Sequence, residues 1–198
     1  MKRLQCSNCS YPLSTCVCQY LKEPIKNRTK IIILQHPDET GLAKNTARLL
    51  TLQLDNIEIF VGESQQDFQS LQSKLDLATS ALLYPSENAV TTDSLSSSKH
   101  KINTLLVIDG TWKKTNKILA LNTWLKQLVA VSFKDIPKNK YTIRKAEQTY
   151  SLSTLEAVGL FLEHQEYIDS YPLLSLLDGM IKEQTKFMSA HVKARYQR

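Results

Sequence analysis

Four cysteines, Cys6, Cys9, Cys16 and Cys18, are the only ones in the chain and fall within 13 residues, as C-x2-C-x6-C-x-C. Four thiolates at such spacing can close a tetrahedral shell around Zn2+, leaving no open position for catalysis. Two disulfides, unliganded thiols and an iron–sulfur cluster are the competing readings. A reducing compartment disfavours the disulfides, and clusters use longer, differently ordered spacings. Zinc is the expectation, and its role would be structural, because ligation supplies folding energy to a segment without a core of its own.

A second constellation is Asp109-Gly110-Thr111-Trp112, directly after the apolar run 105–108. In open parallel sheets ligands bind beyond the C-terminal ends of strands, so a carboxylate there is placed as a base or a ligand contact. The competing reading makes Asp109 or Thr111 a helix cap and Trp112 a core residue. His36-Pro37 and Tyr84-Pro85-Ser86 follow two other strand-like runs; each is equally a strand stop. Arg48 can take a carboxylate or phosphate bidentately or form a surface salt bridge. Ser153-Thr154-Leu155-Glu156 has capping-box spacing, and its helix start could also receive an anionic group. There is no GxGxxG or P-loop, which counts against dinucleotide and nucleoside-triphosphate binding.

These residues need elements to hold them, and the chain is long enough for one domain: 198 residues, 42% hydrophobic, 22% charged. That apolar fraction excludes disorder. Apolar runs are strand-sized, far below the ~20 residues that cross a bilayer, and Met1-Lys2-Arg3-Leu4 lacks the apolar core of a secretion signal. A cytoplasmic protein without membrane contact is expected. The net charge of +6 is concentrated in three runs: Lys22, Lys26, Arg28 and Lys30; Lys134, Lys138, Lys140, Arg144 and Lys145; and Lys182, Lys186, His191, Lys193, Arg195 and Arg198. On one face they would neutralise nucleic-acid phosphates; singly, each is a solvated surface.

Residues 1–28 show no apolar periodicity and read as a small arm. From residue 30 the signals alternate. Strands are expected at 31–34, 57–61, 81–84, 105–108 and 128–133. Helices are expected at 41–54, 68–78, 112–121, 153–167 and from Pro172 onward. The Ser/Thr-rich stretch 87–103 reads as a long surface loop. Alternation of strand and helix gives an α/β class with a mainly parallel sheet. The expected division is 1–28, the four-cysteine arm, and 29–198, the main domain.

Taken in order, the four-cysteine arm, Asn45-Thr46-Ala47-Arg48-Leu49, Tyr84-Pro85-Ser86, Asp109-Gly110-Thr111-Trp112, 141–144 and Ser153-Thr154-Leu155-Glu156-Ala157 resemble the DTW-domain family, the tRNA-uridine aminocarboxypropyltransferases. Thr115 stands where that family usually has Ala. The resemblance implies a SPOUT-like fold with a C-terminal trefoil knot. It also implies S-adenosylmethionine as co-substrate, with transfer of its 3-amino-3-carboxypropyl group to N3 of a uridine in tRNA. On that reading Asp109 is the catalytic carboxylate, removing the N3 proton or binding the amino group of the donor. Tyr84, Pro85, Ser86, Gly110, Thr111, Trp112, Tyr141, Ile143 and Arg144 line the donor pocket, and Arg144 or the helix start at Ser153 and Thr154 holds the donor carboxylate. Arg48, Lys138, Lys140 and Lys145 face tRNA. Rival readings are an S-adenosylmethionine-dependent RNA methyltransferase and a non-enzymatic zinc-containing RNA-binding module. Monomer and homodimer are both left open.

Overall fold

Among the described residues six strands pair in parallel, in the order β2-β1-β5-β3-β6-β4. The computed structural model describes residues 4–95, 101–137, 152–189 and 191–192. In chain order the elements are β1 (Lys30–Gln35), α1 (Ala47–Gln53), β2 (Ile57–Val61), α2 (Gln69–Gln72), β3 (Ser80–Leu83), β4 (Val90–Thr91), α3 (Thr92–Leu95), β5 (Thr104–Asp109), α4 (Trp112–Leu121), β6 (Val129–Ser132), α5 (Thr154–Glu166) and α6 (Tyr171–Thr185). The expected α/β class holds, and the sheet is parallel in every described pair.

Strands β1 and β5 are apolar without alternation because both faces of the sheet are covered. Ile31, Ile33, Leu105 and Val107 pack against Leu49, Leu50, Leu155, Val158 and Leu176 on the side of α1, α5 and α6. Ile32, Leu34 and Leu106 pack on the opposite side against Phe68, Ile118 and Trp124. Successive strand residues point to opposite faces. Gln35, paired in register with Asp109, therefore shares the α1/α5 side with it, while His36 and Gly110 turn to the α4 side.

The segment expected as a separate arm is built into the first of these cores. Tyr11 and Val17 are fully buried, Cys9 nearly so, and they share the cluster with α1, α5 and α6 residues. Tyr20 lies flat on α6, where a Cβ on Gly179 would come within 2.3 Å of its ring. Its hydroxyl donates to Glu183 Oε1 at 2.9 Å.

Several expected bounds shift for physical reasons. The helix expected over 41–54 begins only at Ala47. Before it, the chain is drawn into a 3-10 turn, Pro37–Glu39, capped by His36, whose ring nitrogen accepts from the Asp38 N–H. The helix expected over 68–78 is a single turn, Gln69–Gln72, followed by a 3-10 turn. In the stretch expected to be loop, Val90 and Thr91 add a short strand to the edge of β6 and 92–95 form a helical turn. That order is tertiary: Gln165 Nε2 donates to the Thr92 carbonyl at 2.8 Å, and Thr92 Oγ1 lies 2.7 Å from His164 Nδ1. The capping box arises as read, with Ser153 and Glu156 bonding reciprocally at the start of α5. No helix among the described residues is long and apolar enough to cross a membrane.

Candidate functional site

Among the described strands, the direction of the connections reverses between β1 and β5. The chain leaves β1 toward β2 on one side and leaves β5 toward β6 on the other, so the connections from these neighbouring strands part at their C-terminal ends. Such a switch point is where open parallel sheets bind ligands. His36 and Asp109 stand at it, with the His36 N–H donating to the Asp109 carbonyl at 3.0 Å.

On the α1/α5 side the Asp109 carboxylate is 2% exposed and gathers three donors. Gln35 Nε2 lies 2.9 Å and Asn45 Nδ2 2.6 Å from Oδ2, and Thr154 Oγ1 donates to Oδ1 at 2.6 Å. Burying a carboxylate is costly unless it is well hydrogen-bonded, and β1, the start of α1 and the start of α5 supply those bonds. Asn45 is itself oriented from the other end, because its Oδ1 accepts from the Arg48 N–H at 3.2 Å. Asn45, Asp109 and Thr154, separated in sequence, thus meet in one network. Gln35 carried no local signal beyond ending an apolar run; only its register with Asp109 exposes its part.

On the α4 side lies a cavity of about 540 Å³ lined by His36, Pro37, Asp38, Glu63, Thr111, Lys113, Lys114 and Lys117. His36 Nε2 is 2.7 Å from Glu63 Oε1, whose second oxygen takes Lys117 Nζ at 2.8 Å. These two partners, Lys117 first, hold the Glu63 carboxyl below its usual range. Lys114 bonds the buried Glu39 at 2.9 Å, and that bond raises its ammonium above the ordinary lysine value.

Thr111 caps α4 by accepting from the Lys114 N–H. Trp112 is 38% exposed rather than core, and its ring meets Tyr84 edge-on, with centroids 6.4 Å apart. The Tyr84 hydroxyl donates to Asn116 Oδ1 at 3.3 Å. Pro85 and Ser86 are exposed beside them. The Ser153 hydroxyl is taken up by Glu156 at 2.6 Å. Arg48 holds internal partners: its guanidinium donates to the Thr40 carbonyl at 2.9 Å and sits 4.9 Å above the Tyr11 ring. Tyr141, Ile143, Arg144, Lys138, Lys140 and Lys145 lie outside the described residues.

The sulfur atoms of Cys6, Cys9, Cys16 and Cys18 all lie within 4.8 Å of one another, with Cys6–Cys18 and Cys9–Cys16 at 3.6 Å and no disulfide among them. Four sulfurs at ~2.3 Å from a tetrahedral zinc would be ~3.8 Å apart, so the donor set fits a metal ion closely. Ser10, at φ 57°, makes the left-handed turn that folds the first pair back on itself. Backbone N–H groups of Cys9 and then Asn8 lower the Cys6 thiol to about 6. Cys16 is pushed up to about 12: the Cys18 backbone N–H pulls it down, but burial and the neighbouring thiols outweigh that.

The DTW domain model matches residues 3–185. The chain is 31% identical over 176 residues to tRNA-uridine aminocarboxypropyltransferase 2 of Macaca fascicularis, covering 84% of this chain and 59% of that protein. It is 30% identical over 202 residues to the protein of the same name from Drosophila melanogaster, covering 99% and 76%. It is also 28% identical over 221 residues to tRNA-uridine aminocarboxypropyltransferase A of Arabidopsis thaliana, covering 97% and 83%. The chain thus spans less than two thirds of the macaque relative's length. No solved structure matches it. The site at the end of β5 and the four-cysteine arm both fall within a match running from residue 3 to residue 185, and the chain belongs to the DTW domain family.

Proposed function

We propose that this protein transfers the 3-amino-3-carboxypropyl group of S-adenosylmethionine to N3 of a uridine in tRNA: the N3–C bond forms as the C–S bond breaks, methylthioadenosine leaves, and the N3 proton passes to water. The observation that carries the reading is the position of Asp109-Gly110-Thr111-Trp112 where the connections from β1 and β5 part, in a chain whose relatives bear the name of that activity. A fold of the SPOUT type with a C-terminal knot belongs to the same reading. The all-parallel sheet supports it.

The donor's sulfonium supplies an activated leaving group, so the protein's work is orientation and proton handling. Gly110 fits this: a Cβ there would come within 3.1 Å of Lys114 Cβ, so the turn after β5 is already tight and a side chain would crowd it. Trp112 and Tyr84 offer an apolar, partly exposed wall beside it. Of the two roles open to Asp109, its surroundings favour anchoring the donor's amino group. An ionised carboxylate offers about four acceptor sites; three are filled, and the remaining one, on Oδ1 beside Thr154, suits an ammonium donor. Acting as the N3 base would put a proton on a carboxylate already facing three donors. The four cysteines hold zinc as thiolates and fix the arm. The basic runs position tRNA phosphates without specifying sequence.

The test is a paired labelling assay on tRNA lacking the modification, with S-adenosylmethionine labelled in its carboxyl carbon or its methyl group. Carboxyl label alone entering tRNA is the expected result. Methyl label alone replaces the reading with a methyltransferase. Binding of tRNA without transfer of either label replaces it with a binding module.

A further inference from the structure

Tyr11 is the residue through which the four-cysteine arm reaches Asp109. It sits between Cys9 and Cys16 in sequence, and its carbonyl accepts from the Cys6 N–H at 2.8 Å, so its position follows from closure of the cysteine loop. Its side chain leaves the arm and is wholly buried in the main core. There the hydroxyl donates to the Asn45 carbonyl at 3.3 Å, while Arg48 covers the ring. Arg48 also reaches back toward the Ser10 carbonyl, at 3.5 Å. The Asn45 side-chain amide is set by the Arg48 backbone and by Gln35, whose Nε2 donates to Asn45 Oδ1 at 3.3 Å. Its oxygen accepts from the Arg48 backbone and its nitrogen donates to Asp109.

We propose that Tyr11 is a positioning residue: closure of the four-cysteine site seats its ring, its hydroxyl holds the Asn45 carbonyl while the ring holds Arg48, and Asn45 thereby fixes the Asp109 carboxylate. The metal site then governs the order of the ligand-facing carboxylate without touching it. A second contact of the arm, Tyr20 with Glu183, ends on α6 and joins no residue of the Asp109 network, so the two effects are separable. That Asp109 faces a ligand rests on the function proposed above; the coupling from arm to carboxylate does not.

The experiment uses the full chain loaded with zinc and follows the side-chain amide signals of Asn45 and Gln35 by 1H–15N NMR, with zinc content measured on the same samples. Removing zinc from the wild type by chelation should shift or broaden both signals. Tyr11→Leu should do the same while zinc stays at one per chain, and Tyr11→Phe, which keeps the ring under Arg48 but loses the hydroxyl on the Asn45 carbonyl, should give a smaller shift of the same two signals. Should Tyr11→Leu fail to fold, chelation of the wild type and Tyr11→Phe decide. Unchanged Asn45 and Gln35 signals after zinc removal overturn the proposal, as do unchanged signals in zinc-loaded Tyr11→Leu. Calorimetry with S-adenosylmethionine adds a second reading: an about tenfold weaker affinity in Tyr11→Leu at unaltered stoichiometry, whereas simple destabilisation would lower the stoichiometry and leave the affinity. If the wild type binds no S-adenosylmethionine, the proposed function falls, and the amide signals alone still decide the coupling.

Discussion

Asn45 Nδ2 donates to Asp109 Oδ2 at 2.6 Å, joining the entrance of α1 to the end of β5 across 64 residues of sequence. The same oxygen takes Gln35 and the other takes Thr154, so one buried carboxylate ties together β1, α1, β5 and α5. Removing it affects both the site and the fold. Asp109→Asn keeps the shape but turns an amide donor toward donors. It should cost about 1–3 kcal/mol of stability and abolish binding of S-adenosylmethionine. Urea denaturation and calorimetry check the two effects separately. Wild-type affinity in a folded Asp109→Asn protein would remove Asp109 from the ligand site.

The start of β1 is held by Glu166 at the end of α5. Its two oxygens accept from the Arg28 and Thr29 N–H groups, each at 2.7 Å. Burial raises this carboxyl, but those backbone donors more than offset it and hold it below the usual glutamate range. A carboxyl lowered by folding adds stability above its unfolded value and loses it as pH falls through its folded value. The melting temperature of Glu166→Gln should therefore lie below wild type at neutral pH, and the gap should close as pH drops below about 4.5. A gap independent of pH would mean that the charge plays no part.

Gly179 lies under the Tyr20 ring, with ring carbons 2.3–2.7 Å from where a Cβ would stand. Gly179→Ala must displace the ring and with it the arm. A loss of about 1–3 kcal/mol is expected, measurable by urea denaturation, and Tyr20→Ala in the same chain should remove most of the added penalty. Equal losses in both backgrounds would show that the ring is not the obstacle.

The capping box predicts a purely local effect. Ser153→Ala deletes the acceptor for the Glu156 N–H, and about 1 kcal/mol of stability should go with it. Affinity for S-adenosylmethionine should stay near wild type, since the hydroxyl is already engaged with Glu156. A large loss of affinity with little loss of stability would make the Ser153 hydroxyl a ligand contact.

Metal removal should act well beyond the cysteines. Tyr11 and Val17 belong to the core shared by α1, α5 and α6, so loss of the ion should lower the melting temperature of the whole chain in one transition. Differential scanning calorimetry before and after chelation, with zinc restored as the control, checks this. An unchanged main transition would mean that the arm unfolds alone.

What the sequence determined is what adjacent residues determine. The unbroken apolar runs of β1 and β5 announce strands buried on both faces, the spacing Ser153 to Glu156 announces a helix start, and C-x2-C-x6-C-x-C announces four thiols that can close on one metal ion, because each depends on backbone geometry over a few residues. The order of the DTW-family segments was likewise readable. Only the tertiary structure placed Gln35, Asn45 and Thr154 on Asp109, since that depends on which strands pair and in what register. Only it showed that residues expected to form an arm bury Tyr11 in the main core, and that 90–95 are ordered by α5 instead of forming open loop. Pairing partners far apart in the chain leave no periodic trace in either segment; the burial they share is decided when the sheet closes and the helices cover it.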